Sequence, residues 1–157
     1  MRISRFTLAV SAVAVVALGL GAAAQQKAAS PALPKVTVYK TSSCGCCKLW
    51  VDHMKANGFD VQAMDVGSAD VRAVSKAAGL KDEDTSCHTA KIGAYVVEGH
   101  VPADDIKRLL KEKPAIAGLS APGMPQGSPG MEQGTKEPYD VIAFTKDGRS
   151  TVFAKHK

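Results

Sequence analysis

Three of the four cysteines in this chain stand within four positions, Cys44-Gly45-Cys46-Cys47, and the fourth, Cys87, is followed at once by His88. A structural disulfide framework spreads its bridges to close long loops, whereas this crowding allows at most one long loop, to Cys87, so redox or metal chemistry is favoured over stapling. A plain disulfide remains the bland alternative, since the cysteine count is even. Thiolate and thioether donors select Cu(I), and cysteine with histidine also suits zinc. Met124 and Met131 lie in a Pro/Gly-rich segment with no core to fill, which makes them candidate thioether ligands and tilts the choice towards copper over zinc. The alternative for both is that the segment folds back and each plugs an apolar gap. Met64, on a strand-like run, is expected in the core.

These residues need elements to hold them. Val36 to Tyr39 reads as a strand and Lys48 to Asn57 as a helix stopped by Gly58, so the chain passes from strand through Cys44 into a helix with Cys47 three residues on. Positions i and i+3 share a helix face, and thiolates at a helix N-terminus are stabilised by unpaired N–H groups and the positive dipole end. This is the C-x-x-C arrangement of thioredoxin-like proteins. In that fold the loop entering the third strand packs beside the C-x-x-C and normally ends in a cis-proline. Here it reads Ser86-Cys87-His88-Thr89-Ala90, without proline, which predicts that Cys87 and His88 face Cys44 and Cys47.

Cys46 points away from the Cys44/Cys47 face if the helix has already begun. It is a spare thiol, a ligand to a further metal ion, or a partner for Cys87; a Cys46–Cys47 bridge between neighbours would be strained. His100 is a candidate ligand or supporting group, His53 reads as a surface histidine, and His156 carries no argument. Trp50, one turn beyond Cys47, either shields the site or packs on the core. Asp104 and Asp105 are accounted for by the helix dipole.

The remaining elements complete an α/β order. Phe59 to Val66 alternates like a strand, and Ser68 is an expected N-cap for a helix over Ala69 to Ala78, with Gly79 as its stop. Ile92 to Val97 reads as a strand, with Glu98-Gly99 as a turn folding His100-Val101 back beside it. A helix follows from Pro102 to about Lys113. Ala117 to Gly134 reads as a loop too side-chain-poor for helix or strand, and Tyr139 to Phe144 and Ser150 to Ala154 flank Asp147-Gly148 as a hairpin. The expected class is a mixed central sheet flanked by helices, with a Pro/Gly/Met-rich loop and a C-terminal β-hairpin.

Residues 1–24 read as a secretory leader: Arg2 and Arg5, an apolar run from Phe6 to Leu20, then Ala22-Ala23-Ala24. Residues 25–35 read as a flexible lead-in, and 36–157 as one thioredoxin-like metal-binding domain. Cleavage would lower the net charge from +5 to +3, with 18 basic residues against 15 acidic. Scattered lysines and seven remaining aromatics lack the footprint of a nucleic-acid binder. The apolar run is shorter than the roughly 20 residues of a spanning anchor, so no membrane anchor is expected after cleavage.

Four separated stretches, Tyr39-Lys40-Thr41-Ser42-Ser43-Cys44-Gly45-Cys46-Cys47-Lys48-Leu49-Trp50, Ser86-Cys87-His88-Thr89-Ala90, Val97-Glu98-Gly99-His100-Val101-Pro102-Ala103 and Pro122-Gly123-Met124-Pro125-Gln126-Gly127-Ser128-Pro129-Gly130-Met131, resemble the exported thioredoxin-like copper-resistance proteins of the CopG type, distinct from the ribbon-helix-helix repressors of the same name. The resemblance runs from about Val36 to Phe153. It implies a periplasmic role in copper handling, with copper bound as Cu(I) and Cu(II) as a second redox state. It puts Cys44, Cys46, Cys47 and Cys87 first as ligands, His88 next, then Met124 and Met131. Copper ions and other periplasmic copper-handling proteins are the implied partners.

Binding and turnover stay open at this point. The competing enzyme reading is a thiol-disulfide oxidoreductase in which Cys44 attacks, Cys47 resolves and Cys87 is a third redox thiol. The missing proline before the third strand argues against it. A structural zinc domain built on Cys44, Cys47, Cys87 and His88 is the third reading, and several disulfide pairings are compatible with the sequence.

Overall fold

The computed structural model describes residues 32–157, so the expected leader and the lead-in up to Pro31 lie outside the described residues. Seven strands and three helices follow one another as β1 (Val36–Lys40), α1 (Gly45–Ala56), β2 (Val61–Asp65), α2 (Ser68–Ala77), β3 (His88–Ile92), β4 (Tyr95–Gly99), α3 (Ala103–Glu112), β5 (Gly118–Ala121), β6 (Tyr139–Phe144) and β7 (Ser150–His156). They form one mixed sheet in the order β2-β1-β3-β4-β5-β6-β7, parallel at β1/β2 and β4/β5 and antiparallel elsewhere. The α/β class with a C-terminal hairpin is thus as expected. Among the described residues no helix is long and apolar enough to cross a membrane.

Helical spacing explains how the sheet is covered. Cys47, Trp50, Val51 and Met54 recur at three- and four-residue intervals and make one buried stripe on α1. Trp50, Val51 and Met54 share a core with Ala103, Ile106 and Leu109 of α3 and with Val36, Val38, Ala90, Ile92 and Val97 of the sheet. Each large side chain so buried contributes roughly 1.5–3 kcal/mol. Strand side chains alternate between faces, so Thr89, next to Ala90, points to the opposite face, where its hydroxyl reaches the Val71 carbonyl of α2 at 3.3 Å. Gly58 and Gly79 end α1 and α2 with φ of +89° and +91°, as the helix stops required.

Several local expectations need correction. The hairpin turn lies at Gly93-Ala94, because Ile92 pairs directly with Tyr95; Glu98-Gly99 belongs to β4 rather than to a turn. The segment from Ala117 does contain a strand: β5 runs between β4 and β6 with all four residues buried. Its small residues answer a close approach, since a Cβ on Gly118 would fall 1.7 Å from the Val96 carbonyl oxygen. Met64 is 40% exposed, because β2 is an edge strand that presents most of its side chains to solvent. Gly67, not Ser68, is the N-cap of α2. His156 is part of β7, and its Nε2 lies 2.7 Å from Asp105 Oδ2, so Asp105 ties the last strand to α3 as well as complementing the dipole.

His53 is only partly at the surface. It is half-buried between two helices, and its Nε2 accepts the Ala103 N–H at 3.1 Å, supplying the cap that Pro102 cannot give to α3. Losing such a cap costs about 1 kcal/mol, which is the expected effect of His53→Ala on the unfolding free energy. Burial holds the His53 pKa below 6.5, against the opposing pull of Glu132 and Asp104. The folded imidazole therefore takes a proton less readily than the unfolded one, so the contribution is whole above about pH 6.5 and is lost as pH falls towards the lower folded value. In denaturant unfolding between pH 7 and pH 5, His53→Gln, whose amide oxygen accepts the same N–H without titrating, should lose less stability than the wild type. Equal losses would contradict the assignment.

Candidate metal centre

The site forms where β1 ends and β3 begins. Lys40 pairs with His88 across the sheet, so the loop leaving β1 and the residue preceding β3 emerge side by side. Cys44 is the N-cap of α1, and its sulfur accepts the Cys47 N–H at 3.3 Å. Cys44 and Cys47 are joined in a disulfide, whereas Cys46 and Cys87 are free. Cys87 Sγ lies 3.4 Å from Cys47 Sγ and 3.9 Å from Cys46 Sγ, so the two cysteine-bearing segments meet as the sequence predicts. Cys46 differs from expectation. Its Cβ leans towards the helix N-terminus, as all helical Cβ atoms do, and its sulfur sits 3.6 Å from Cys44 Sγ inside the cluster.

Two imidazoles close the other side. His88 Nδ1 is 3.5 Å and His100 Nε2 is 3.1 Å from Cys87 Sγ, and both rings are fully buried. The four sulfurs form one group of mutually close donor atoms, and Cys87, His88 and His100 form a second that shares Cys87. His100 Nδ1 is 2.8 Å from the Pro129 carbonyl oxygen. A carbonyl only accepts, so Nδ1 carries the ring proton and Nε2 turns its lone pair to Cys87. His88 Nε2 is buried with no hydrogen-bond partner, a state that costs roughly 1–3 kcal/mol.

Burial governs the protonation of the site. It pushes the Cys87 thiol up to about 12, with Cys46 adding to the effect. It holds His88 at about 3, helped by the neighbouring His100, and lowers His100 as well. The centre thus sets neutral imidazoles beside a protonated Cys87 thiol.

Trp50 is fully buried, donates to the Val101 carbonyl at 2.9 Å and packs on His88 with ring centroids 4.5 Å apart. Of its two readings, packing holds, and the indole is the floor under His88. The Pro/Gly/Met segment is fastened at both ends: the Gly123 N–H donates to the Thr85 carbonyl and the Ser86 hydroxyl to the Gly123 carbonyl, while Pro129 holds His100. Gly130, with φ of +88°, lies against α1 so closely that a Cβ would come within 2.8 Å of the Cys46 carbonyl oxygen. Met124 in this loop is 54% exposed and Met131 half-buried.

Sequence reasoning missed Glu98, taken there as part of a turn. It is 1% exposed, and Oε1 accepts the Ser86 N–H at 2.8 Å while Oε2 lies 2.5 Å from Thr89 Oγ1. One carboxyl group thus clamps both flanks of Cys87-His88. Its sequence signal is an acid placed directly after Val96-Val97, where strand burial is expected. Glu98→Gln can keep both contacts, whereas Glu98→Leu leaves the Ser86 N–H unpaired, at roughly 1–3 kcal/mol. Denaturant titration should find the Gln variant near wild type and the Leu variant weaker by that amount; equal losses in both would contradict the clamp.

Comparison with known proteins adds three results. Residues 85–131 match the family described as "Protein of unknown function, DUF411". Two solved structures, described as "Copper resistance protein copG" in forms 1 and 2, are 41% and 42% identical to this chain. They cover 79% and 80% of it and 98% and 99% of their own chains, each with a TM-score of 0.72. No curated protein gives a significant match.

Proposed function

The chain belongs to the CopG-type family of copper resistance proteins, and on that premise we propose that it is a periplasmic copper-handling protein that holds Cu(I) between its cysteines and buried histidines. The observation that carries this reading is the donor set itself: four sulfurs and two imidazoles gathered at one place, with His88 Nε2 buried and unpartnered. Soft thiolates favour Cu(I) over harder ions, and His88 Nδ1, 3.5 Å from Cys87 Sγ, places an imidazole nitrogen beside the sulfurs. His100 is oriented as ligating histidines generally are, its outer nitrogen donating to a backbone carbonyl. Bound copper would supply a one-electron redox couple between Cu(I) and Cu(II).

Cys44, Cys46, Cys47, Cys87 and His88 are the proposed ligands, with His100 added to them. Met124 and Met131 are proposed as thioethers that the fastened loop can bring to the opening. The thioredoxin-like reading of the fold is supported by the order βαβαββα and by the antiparallel placement of β3 within β2-β1-β3-β4. A second reading, thiol-disulfide oxidoreductase, draws on the Cys44–Cys47 disulfide, with half-buried Cys44 as the attacking and buried Cys47 as the resolving sulfur.

Anaerobic competition for Cu(I) against a chromophoric chelator tests the first reading. Fully reduced protein should bind more tightly than protein holding the Cys44–Cys47 disulfide, because the disulfide removes two thiolate ligands. Cys87→Ser should weaken binding at least roughly tenfold, and X-ray absorption at the copper edge should show sulfur-rich coordination. Full affinity in Cys87→Ser would remove Cys87 from the proposed ligand set, and no retained copper together with reduction of a disulfide substrate would replace copper handling with the oxidoreductase. Met124→Leu should weaken Cu(I) binding measurably; unchanged affinity would assign Met124 to packing.

A further inference from the structure

Cys47 Sγ stands between two sulfurs. It is bonded to Cys44 on the helix side, and on the β3 side Cys87 Sγ lies 3.4 Å away. Cys87 in turn has the surroundings of an activated nucleophile. His100 Nε2 is 3.1 Å from its sulfur with the lone pair turned towards it, and the Pro129 carbonyl fixes that tautomer from the other side of the ring. Nucleophile, base and a group orienting the base are the arrangement by which thiols are made to attack. The leaving sulfur is also provided for. Cys44 caps α1 and accepts the Cys47 N–H at 3.3 Å, where a thiolate is stabilised by the helix N-terminus.

We propose that the protein isomerises its own disulfide, Cys87 displacing Cys44 from Cys47. In the step, Cys87 Sγ attacks Cys47 Sγ, the Cys47–Cys87 bond forms and the Cys44–Cys47 bond breaks. The thiol proton passes to His100 Nε2, and Cys44 leaves as a thiolate at the α1 N-terminus. One thiol, one disulfide and a neutral imidazole enter the step, and one disulfide, one thiolate and the imidazolium leave it, so no oxidant or reductant is consumed. Partly buried beside Cys46, Cys87 is held as a thiol and not a thiolate, and the exchange depends on the imidazole taking the proton as the sulfur moves. The result transfers the free thiol from the start of β3 to the helix end. The resting isomer offers Cys46 with Cys87, at 3.9 Å, and the migrated isomer offers Cys44 with Cys46, at 3.6 Å in the resting arrangement.

This inference is independent of copper handling and is tested on metal-free protein. Cys46→Ser leaves three cysteines. Its Cys44–Cys47 and Cys47–Cys87 isomers, separated at acid pH after exchange in denaturant, are each returned to neutral native buffer, quenched with acid at intervals and mapped by peptide mass spectrometry. Both should converge on one mixture of these two isomers, and His100→Gln in the same background should slow convergence roughly a hundredfold, within the range of general-base catalysis. Native Trp50 fluorescence verifies that the variant is folded. Should it fail to refold, a solvent deuterium effect of about twofold on the Cys46→Ser protein reports the same proton in flight. The proposal is overturned if either isomer persists unchanged in native buffer, if Cys44–Cys87 forms instead, if folded His100→Gln converges at the parental rate, or if the isotope effect that replaces it is absent.

Discussion

The antiparallel register that sets Lys40 opposite His88 is the constraint on which the rest of the centre depends. It fixes where the chain leaves one strand and enters another, and so brings sulfurs 40 residues apart in sequence within contact. Interactions around this point hold it from both faces. Lys40 pairs with Asp65 at 2.6 Å and ties the ends of β1 and β2, while Glu98 grips the backbone before Cys87 and the hydroxyl after His88. A slip of one residue between β1 and β3 would turn His88 to the α2 face and away from Trp50. The candidate metal centre is therefore a property of the sheet's register as much as of the side chains that line it.

Within that frame burial sets the charge state of the candidate site. The buried imidazoles are neutral, and burial keeps Cys87 protonated. A soft cation would reverse this balance, since it replaces the protons on sulfur. The Pro/Gly/Met loop contributes to the same end by contact rather than charge, because its Pro129 carbonyl decides which nitrogen of His100 is free.

The sequence carried the chemistry more legibly than the geometry. Cysteine spacing and the helix stops at Gly58 and Gly79 follow from local rules, because each rests on a few neighbouring residues, whereas the approach of Cys87 to Cys47, 40 residues away, was legible only through the strand placement that a thioredoxin-like C-x-x-C suggests. Cys46, His53 and Glu98 were misread because their roles depend on partners far along the chain: Cys87, the start of α3, and Ser86 with Thr89. β5 was hidden for a related reason. Its composition answers the closeness of β4 rather than any strand propensity of its own. Met64 failed in the opposite direction, since alternation reveals a strand but does not say which strand is at the edge.

The first turn of α1 is capped by a sulfur whose oxidation state can change. A cap of oxygen would contribute the same stability whatever the surrounding redox conditions. Here the helix interacts more strongly with a Cys44 thiolate than with a disulfide sulfur, and a thermodynamic cycle requires that difference to reappear in the ease of reducing the bond. Folding and electron transfer at this helix are two legs of one cycle, so a change that loosens the first turn also makes the disulfide harder to reduce.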